Sequence, residues 1–257
     1  MSESSAGESA VKAPREPRPF VFWLLASVVV PLVGLIAKIR ISGEKLQPSG
    51  AYVLAPNHYS EVDPLIVAVA VWRLGRPPRF MAKESLFRVP VLGWALRSTG
   101  MVPVARSSSS ASAKQTLSAS ETLVEHGRGV IVYPEGTLTR DPDMWPMRGK
   151  TGAVRLALEA DIPLIPMAHW GTQAIMPRYG KLRLWPPRRP VMVRVGKPVD
   201  LSEFRGRPLT NSLLIEATTH LMNAVTALLE ELRDEKAPAE RWDPAVHGQK
   251  ETGRLDS

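Results

Sequence analysis

Residues 57–63, with sequence NHYSEVD, hold a histidine and a carboxylate five positions apart. Histidine is the side chain suited to proton transfer near neutral pH, so His58 could accept a proton from a substrate. A carboxylate from Asp63 on the other ring nitrogen would fix the tautomer and stabilise the imidazolium. The segment therefore predicts a general base together with the acid that orients it.

Two other interpretations of the same residues stay open. Asp63 could only cap a helix, in which case His58 would be an ordinary loop histidine. The second interpretation is a metal site built from His58, Glu61 and Asp63. No further cluster of ligands lies nearby in the sequence, so we expect no metal.

The flanking elements should position this pair. Residues 51–55 (AYVLA) form a short apolar run that ends at Pro56, which predicts a buried strand. His58 would then lie just past the carboxyl end of a strand, where open α/β sheets place their ligands. Asp63 is a favoured N-cap before an apolar helix over 65–74. Because neighbours on one helix face are three or four residues apart, the pair meets only if the loop curls back.

A second chemically suggestive segment covers residues 129–140, with sequence GVIVYPEGTLTR. Its apolar start predicts a strand that Pro134 ends, and Gly136 lets the backbone turn closely around a ligand. Thr137 and Arg140 then offer hydrogen-bond donors, which suits an anion. The alternative is an ordinary turn at a strand end with a solvated arginine.

Cations are concentrated between these two segments. Lys83 and Arg106 each end a short predicted strand, at the same end of the sheet as His58. Residues 73–114 hold eight lysines and arginines against one glutamate, a local charge of +7. This excess favours an anionic partner, although a solvated basic face would look the same.

Taken together, these segments resemble the glycerophospholipid acyltransferase family, the class that contains 1-acylglycerol-3-phosphate acyltransferases. Four family motifs occur in order: residues 57–63 (NHx4D), the stretch from Lys83 to Arg106, residues 133–137 (YPEGT) and residues 162–166 (IPLIP). The match covers roughly residues 40 to 200. The ordered set is far more specific than any one of its parts.

The resemblance implies a role for each matched residue. His58 would be the base and Asp63 its partner, while Lys83, Glu135 and Gly136 would hold the glycerol phosphate of the acceptor. A base is needed because the acceptor hydroxyl is a poor nucleophile toward a thioester, and such a base is typically worth about 10²–10⁴ in rate.

Two parts of the implied site have more than one candidate residue. The family commonly has arginine directly after Glu-Gly-Thr, whereas this chain has Leu138 there, so Arg140 or Arg106 would have to bind the phosphate. The oxyanion of the reaction needs preorganised donors, for which backbone N–H groups near Gly136 and the side chain of Asn57 are candidates.

Composition excludes several other enzyme classes. The 257 residues include no cysteine, so there is no thiolate nucleophile, disulfide or cysteine-ligated zinc. No G-x-S-x-G elbow of a serine hydrolase occurs. Residues 148–151 (RGKT) end like a phosphate-binding P-loop but lack its earlier glycine. Residues 127–129 (GRG) precede a strand, whereas the glycine turn of a dinucleotide-binding protein follows one. We expect direct transfer with no cofactor, and acyl-CoA or acyl-carrier protein as a substrate.

Net charge and length limit the classes of binding partner and the number of domains. A net charge of +8 could suit nucleic acid, but aromatic residues are only 6% and no nucleic-acid motif is present. A membrane surface and phosphorylated substrates fit better. The length and the 44% apolar content fit one α/β domain with attachments.

The strongest membrane signal is an apolar run of 18 residues, Phe20 to Ala37. As a helix it would be about 27 Å long, just short of a hydrocarbon core of about 30 Å. Pro31 could divide it into a re-entrant pair, and basic residues flank both ends. Residues 36–40 make a poor signal-peptide cleavage site. We expect attachment to the cell membrane with the catalytic domain on the cytoplasmic side.

The remaining pattern predicts an α/β fold with a mixed sheet flanked by helices. The sheet would include a strand at 162–168, which ends at His169 and Trp170 as lining or core residues, and paired strands at 179–185 and 191–195. Helices are expected at 112–125, 149–160 and from Thr210 to about Arg233, the last with its apolar stripe on the sheet. The predicted organisation is a disordered lead (1–18), a membrane-associated segment (19–40), an acyltransferase domain (41–235) and a polar, mobile tail (236–257).

The expected function is transfer of a fatty acyl group from a thioester to a hydroxyl of 1-acylglycerol 3-phosphate. Another lysophospholipid, glycerol 3-phosphate or a lipid-linked sugar could be the acceptor instead. Two other classes stay open: a non-catalytic membrane-attached binder of anionic lipid, and a lipid hydrolase that uses water as acceptor.

Overall fold

Two sheets organise the protein, for which a computed structural model describes residues 16–104 and 120–250. The larger sheet has five strands in the order β1-β7-β6-β2-β5, and the smaller pairs β3 with β4. A parallel bridge between Phe80 and Ile131 joins them. The strands are β1 (Ala37–Gly43), β2 (Tyr52–Pro56), β3 (Met81–Lys83), β4 (Val102–Val104), β5 (Gly129–Ile131), β6 (Leu164–Trp170) and β7 (Arg189–Val195).

Strand directions make the larger sheet mixed, as predicted. β2 pairs in parallel with β5 and with β6, and β1 pairs in parallel with β7, whereas β6 and β7 are antiparallel. The carboxyl ends of β2, β5 and β6 therefore share one edge of the sheet, which is where ligands bind in open α/β sheets. We call it the carboxyl edge.

Helices cover both faces of this sheet. They are α1 (Phe20–Ile36), α2 (Asp63–Arg73), α3 (Pro90–Ser98), α4 (Gly152–Glu159), α5 (Thr172–Ile175) and α6 (Asn211–Arg233), with 3₁₀ turns at Glu84–Arg88 and Ser202–Phe204. Successive strand side chains point to opposite faces. Leu54 accordingly packs in a cluster with α2, while Val53 packs in a second cluster with α4 and α6.

Helix α6 matches its prediction. Thr210 is the N-cap, and its side chain accepts a hydrogen bond from the Leu213 N–H at 3.3 Å. Its apolar stripe is buried against β6 and α4. Within the described ranges α6 is the one helix long and apolar enough to cross a membrane, but its apolar stripe packs on the sheet and 44% of that stretch is buried inside the protein.

The predicted strand pair at 179–185 and 191–195 is wrong in its first half. Residues 179–185 form no strand: the Gly180 N–H donates to Pro177 O at 2.7 Å, and the Arg183 N–H to Ile175 O at 2.7 Å. β7 instead pairs with β1 over seven residues and with β6 over four. Of the helix predicted at 112–125, residues 120–125 are helical and the rest lie outside the described residues.

The apolar N-terminal segment is one helix, so the re-entrant pair is wrong. α1 continues through Pro31, and β1 follows it directly at Ala37. Its 17 residues correspond to about 26 Å. Trp23 and Trp72 of α2 form a T-shaped pair, with 4.9 Å between ring centroids.

The predicted disordered lead is wrong for residues 16–18. Glu16 is buried: its Oε2 lies 2.6 Å from Arg76 Nε, and its Oε1 bonds Arg79 and also accepts from the Gly129 N–H at 3.1 Å. Arg79 also donates to Pro17 O at 2.8 Å. A buried carboxylate paired with two guanidinium groups explains the order, because an unpaired charge would not be buried.

This cluster also corrects the local charge argument. Arg76 donates to Gly50 O and Gly127 O, at 2.8 and 2.9 Å. Those carbonyls precede β2 and β5, so the two arginines lie at the amino edge of the sheet, opposite His58. Two of the cations counted toward an anion site therefore bind the protein itself.

The polar tail was predicted to be mobile, but residues 236–250 fold back on the domain. Trp242 O accepts a hydrogen bond from the Arg148 N–H at 2.9 Å, and Arg241 Nη2 donates to Asn223 of α6 at 2.7 Å. The Trp242 ring stacks on His247 with centroids 3.5 Å apart. Since this segment meets both α6 and residues 141–149, it braces the loop that follows the third motif.

Candidate active site

His58 and Asp63 meet at the carboxyl edge of the sheet. His58 Nδ1 lies 3.1 Å from Asp63 Oδ2. The loop curls back as required, because the same Oδ2 accepts hydrogen bonds from the N–H groups of Tyr59 and Ser60, at 2.7 and 2.8 Å. Val62 is the N-cap of α2 and Asp63 is inside the helix, so the interpretation of Asp63 as a simple N-cap is wrong.

Asp63 is fully buried, yet it stays ionised. Burial alone would raise the pKa of its carboxyl group, but the neighbouring imidazoles and the hydrogen bonds from His58 and Thr172 outweigh burial and hold it below the usual value. Thr172 Oγ1 donates to Oδ1 at 2.6 Å. Both carboxylate oxygens are therefore fixed, and the negative charge stays beside the ring of His58.

Thr172 is a site residue that sequence reasoning missed. β6 ends at Trp170, and Gly171 follows with φ of +114°, where a Cβ would lie 2.4 Å from Pro190 O. Only glycine fits this turn, and it brings the first residue of α5 onto Asp63. A Gly-Thr pair directly after a strand that ends at the site was the available signal.

The ring of His58 is held on one side and open on the other. It stacks on Tyr133, with centroids 4.1 Å apart and planes inclined by 24°. Its side chain is 15% exposed, whereas that of Asp63 is fully buried. Because Nδ1 faces Asp63, Nε2 is the nitrogen that can take a proton from a substrate.

Glu135 was expected to contact the acceptor, but the structure uses it as a brace. Its Oε1 accepts from the His58 N–H at 2.9 Å and its Oε2 from the Met147 N–H at 3.1 Å. Burial raises the pKa of this carboxyl group to about 8, against the opposing effect of those two hydrogen bonds. Glu135 therefore joins the histidine loop to the loop after the third motif, out of reach of solvent.

Asn57 also differs from its expected role as an oxyanion donor. Its Nδ2 donates to His169 O at 3.1 Å, and its Oδ1 accepts from the His169 N–H at 2.9 Å. Both amide atoms thus tie β2 to β6. His169 is buried, as predicted for a core residue, and burial lowers the pKa of its imidazole.

The turn of the third motif does face solvent. Gly136 is exposed with φ of +70°, and Thr137 is partly exposed. A Cβ on Gly136 would lie 3.1 Å from Lys150 Cδ and 3.8 Å from its Nζ. The exposed Lys150 therefore brings a cation to this turn, and sequence reasoning missed it because the two residues are 14 positions apart.

Arg140, in contrast, does not lie on the exposed side of the turn. It is 2% exposed, next to the buried Thr139, whose N–H donates to His58 O at 2.6 Å. Arg178 Nη1 donates to the carbonyls of Thr139 and Asp141, at 2.5 and 2.9 Å. These contacts fix the loop beside His58.

The second motif is described only in part. Lys83 ends β3, and because the bridge to β5 is parallel, its backbone lies toward the carboxyl edge as expected. Its role in substrate binding stays a prediction. Arg106 lies outside the described residues. Within residues 16–104 and 120–250, no three His, Asp or Glu side chains are grouped so that they could share a metal ion.

Comparison with known proteins agrees with the motif order. The Acyltransferase family model matches residues 38–170, more than half of the chain. The chain belongs to this family. The match contains all four motifs, and it ends at Trp170, the last residue of β6.

Individual relatives carry more specific names. A chloroplastic 1-acyl-sn-glycerol-3-phosphate acyltransferase of Brassica napus is 33% identical over 142 residues, or 54% of this chain and 39% of that protein. The Saccharomyces cerevisiae 1-acyl-sn-glycerol-3-phosphate acyltransferase is 29% identical over 167 residues, 63% of this chain and 52% of that one. The chain thus spans about half or less of these relatives.

A solved structure supports the fold. The 1-acyl-sn-glycerophosphate (LPA) acyltransferase PlsC from Thermotoga maritima superposes with a TM-score of 0.59 at 23% identity, covering 85% of this chain and 82% of that one. This likeness supports the mixed α/β architecture predicted from the sequence.

Proposed function

We propose that the protein transfers a fatty acyl group from a thioester of coenzyme A or acyl-carrier protein to the free hydroxyl of 1-acylglycerol 3-phosphate. The observation that carries the proposal is the 3.1 Å contact between His58 Nδ1 and Asp63 Oδ2, with Nε2 left for substrate. Family membership and the names of the matched relatives support this acceptor.

The reaction follows from this geometry. His58 Nε2 takes the hydroxyl proton as the acceptor oxygen attacks the thioester carbonyl carbon. Asp63 stabilises the imidazolium through Nδ1–H. When the tetrahedral intermediate collapses, the C–S bond breaks and the thiolate takes the proton from His58, which returns the base to its neutral form. No acyl-enzyme is needed.

The acceptor phosphate would bind at the turn of the third motif. Lys150 supplies an exposed cation beside Gly136, and Lys83 ends β3 on the same edge. Lys150 takes the place that the sequence suggested for Arg140, whose burial leaves it a supporting role. A cationic contact would orient the acceptor, since charge-assisted hydrogen bonds are short and strong.

The bilayer is the proposed partner of α1. An apolar stripe is exposed along this helix at spacings of three and four residues, formed by Phe20, Leu24, Val28, Leu32 and Leu35. Such a surface is unfavourable in water and marks a contact with another apolar phase. Attachment to the cell membrane, with the catalytic domain on the cytoplasmic side, would give access to both the lipid acceptor and the acyl thioester.

The test is release of free thiol from acyl-CoA by purified protein with a panel of acceptors. We expect 1-acylglycerol 3-phosphate to be used better than glycerol 3-phosphate, 1-acylglycerophosphocholine or monoacylglycerol. His58→Ala should lower the rate by about 10²–10⁴, and Asp63→Ala by less, because Asp63 orients and stabilises the base.

His126→Ala is the matched control, because His126 is an exposed histidine next to Gly127, at the amino edge and opposite the proposed site. Equal rates for His58→Ala and wild type would exclude the mechanism. Fatty acid release without an acceptor would indicate a hydrolase, and thioester left intact with every acceptor would indicate a lipid binder.

The phosphate contact has its own test. Lys150→Gln should raise KM for 1-acylglycerol 3-phosphate while leaving kinetics with monoacylglycerol unchanged, since only the first acceptor carries a phosphate. Lys197→Gln, another exposed lysine, is the control. A parallel change for both acceptors would argue against a phosphate contact.

A further inference from the structure

The loop between α5 and β7 exposes large apolar side chains. We call residues 181–188 (KLRLWPPR) the tip loop. Leu182, Leu184 and Trp185 are exposed in it, and Trp185 is 82% exposed. Water-exposed tryptophan beside leucine is costly, so this segment needs an apolar or interfacial environment.

Basic residues alternate with those apolar side chains. Lys181, Arg183 and Arg188 lie in the tip loop, and no acidic residue occurs between Asp161 and Asp200. The combination of exposed aromatic and aliphatic groups with positive charge complements the headgroup region of a bilayer that contains anionic lipid. A bilayer interface offers both an apolar layer for the leucine and tryptophan side chains and negative charge for the basic ones.

The tip loop also continues the apolar stripe of α1. The Arg188 N–H donates to Leu35 O at 3.0 Å, and Leu35 is the last exposed residue of the stripe. The end of the tip loop and the end of α1 are thus adjacent.

The residues just before the tip loop are fastened to the loop that carries His58. Ser60 Oγ donates to Met176 O at 2.6 Å, and the Tyr179 N–H donates to Glu61 Oε1 at 3.1 Å. Ser60 and Glu61 lie between His58 and Asp63. Residues 176–188 therefore connect the loop that carries His58 to the helix that would contact the membrane.

We propose that the tip loop is a second membrane-binding element, which inserts Leu184 and Trp185 into the interfacial layer of an anionic bilayer beside α1. This proposal rests on the proposed function, because it assumes a lipid acceptor that moves from the bilayer into the active site. By binding at the interface next to the histidine loop, the tip loop holds the entrance to the site at the depth of the lipid headgroups.

The natural absence of cysteine allows a clean test. Trp185→Cys carries an environment-sensitive fluorophore in the full chain, with Val246→Cys, at another highly exposed position, as the control. On vesicles of phosphatidylcholine with phosphatidylglycerol, the probe at 185 should shift to the blue and be quenched by spin-labelled lipid, while the probe at 246 stays unchanged. An unshifted probe at 185 on protein that floats with the vesicles would overturn the proposal.

Charge is tested by a triple variant, Lys181→Gln with Arg183→Gln and Arg188→Gln, on the labelled chain. It should need about tenfold more anionic vesicles for the half-maximal probe shift, and show little change on phosphatidylcholine alone. The control neutralises three exposed basic residues elsewhere, Lys45, Lys197 and Arg207, with the same change in net charge. Equal effects of both triples would overturn a specific role for the tip loop.

Activity separates this proposal from the proposed function. Leu184→Ser with Trp185→Ser should slow transfer to 1-acylglycerol 3-phosphate held in vesicles but not to a short-chain acceptor dispersed in solution. If wild type transfers to neither, the proposed function fails while the probe still reports the membrane contact. A blue shift that depends on protein concentration without lipid would instead identify a second copy of the chain as the partner.

Discussion

The two edges of the central sheet each bury a carboxylate that joins distant parts of the chain, but only one edge can do chemistry. At the amino edge, Glu16 pairs with Arg76 and Arg79, and all three side chains are buried. At the carboxyl edge, Asp63 is equally buried, yet its partner His58 remains open to solvent. A reactive site thus needs a titratable group that reaches the surface as well as a buried charge that controls it.

The comparison also separates stability from catalysis. Removing one partner of a buried ion pair leaves an uncompensated charge and costs about 3–5 kcal/mol. At the amino edge such a loss should affect folding alone. At the carboxyl edge, replacing the partly exposed His58 should affect the rate alone. Replacing the buried groups that hold it, such as Thr172, should affect both the rate and the stability.

The largest expected effect is that of His58→Ala, which should lower transfer by up to about 10⁴. Its free energy of unfolding should stay within about 1 kcal/mol of wild type, because the side chain is partly exposed and its backbone hydrogen bonds remain. Steady-state kinetics and urea denaturation of the same preparation measure the two. A loss of stability as large as the loss of rate would remove the distinction between the edges.

The pH dependence of the free energy of unfolding tests the role of Glu135 at the carboxyl edge. Its folded-state pKa of about 8 lies above the ordinary value of 4.5, so the folded protein binds more protons between those values. Its contribution to stability is complete below pH 4.5 and is lost as pH rises through 8, by about 5 kcal/mol.

Urea denaturation across this pH range should show the decline in wild type and a flatter profile in Glu135→Gln. Glu216→Gln, at an exposed position of α6, should keep the wild-type slope. Identical slopes in all three proteins would show that Glu135 does not titrate in this window.

At the amino edge, Glu16→Gln should lower the free energy of unfolding by about 3 kcal/mol, because two buried arginines lose their counter-charge. The value of kcat/KM per folded molecule should not change. Glu44→Gln is the control at an exposed position. Loss of activity in the still-folded Glu16→Gln protein would show that the two edges are coupled.

The smallest effect is expected for Thr172→Val, which removes one hydrogen bond to Asp63 and should cost about 1 kcal/mol in stability. Transfer should fall about fivefold, since Asp63 becomes less well oriented. Thr172→Ser keeps the hydroxyl and should restore both. If serine fails to restore the rate, the methyl group and not the hydrogen bond is important.

Local signals explain what could be predicted from the sequence. The strand before His58, the start of α2 near Asp63 and Pro64, and the capped α6 with its stripe depend on neighbouring residues and on periodicity. The pairing of His58 with Asp63 was also within reach, because only four residues separate them in a loop between two predictable elements.

Long-range partners explain the rest. Glu16 meets Arg76 from 60 positions away, and Thr172 meets Asp63 from 109 positions away. Neither pairing produces a recognisable pattern in the sequence. The arginines at the amino edge were therefore counted as part of an anion site. The brace at Glu135 was hidden for the same reason, since its partners belong to two different loops.

The direct junction of α1 with β1 has a mechanical consequence. Ile36 ends the helix and Ala37 begins a strand that pairs with β7 over seven residues, with no linker between them. A bilayer that holds the helix would therefore also fix the tilt of the sheet, so the domain could not swivel on a tether. Its substrate entrance would then present one constant face to the lipid surface.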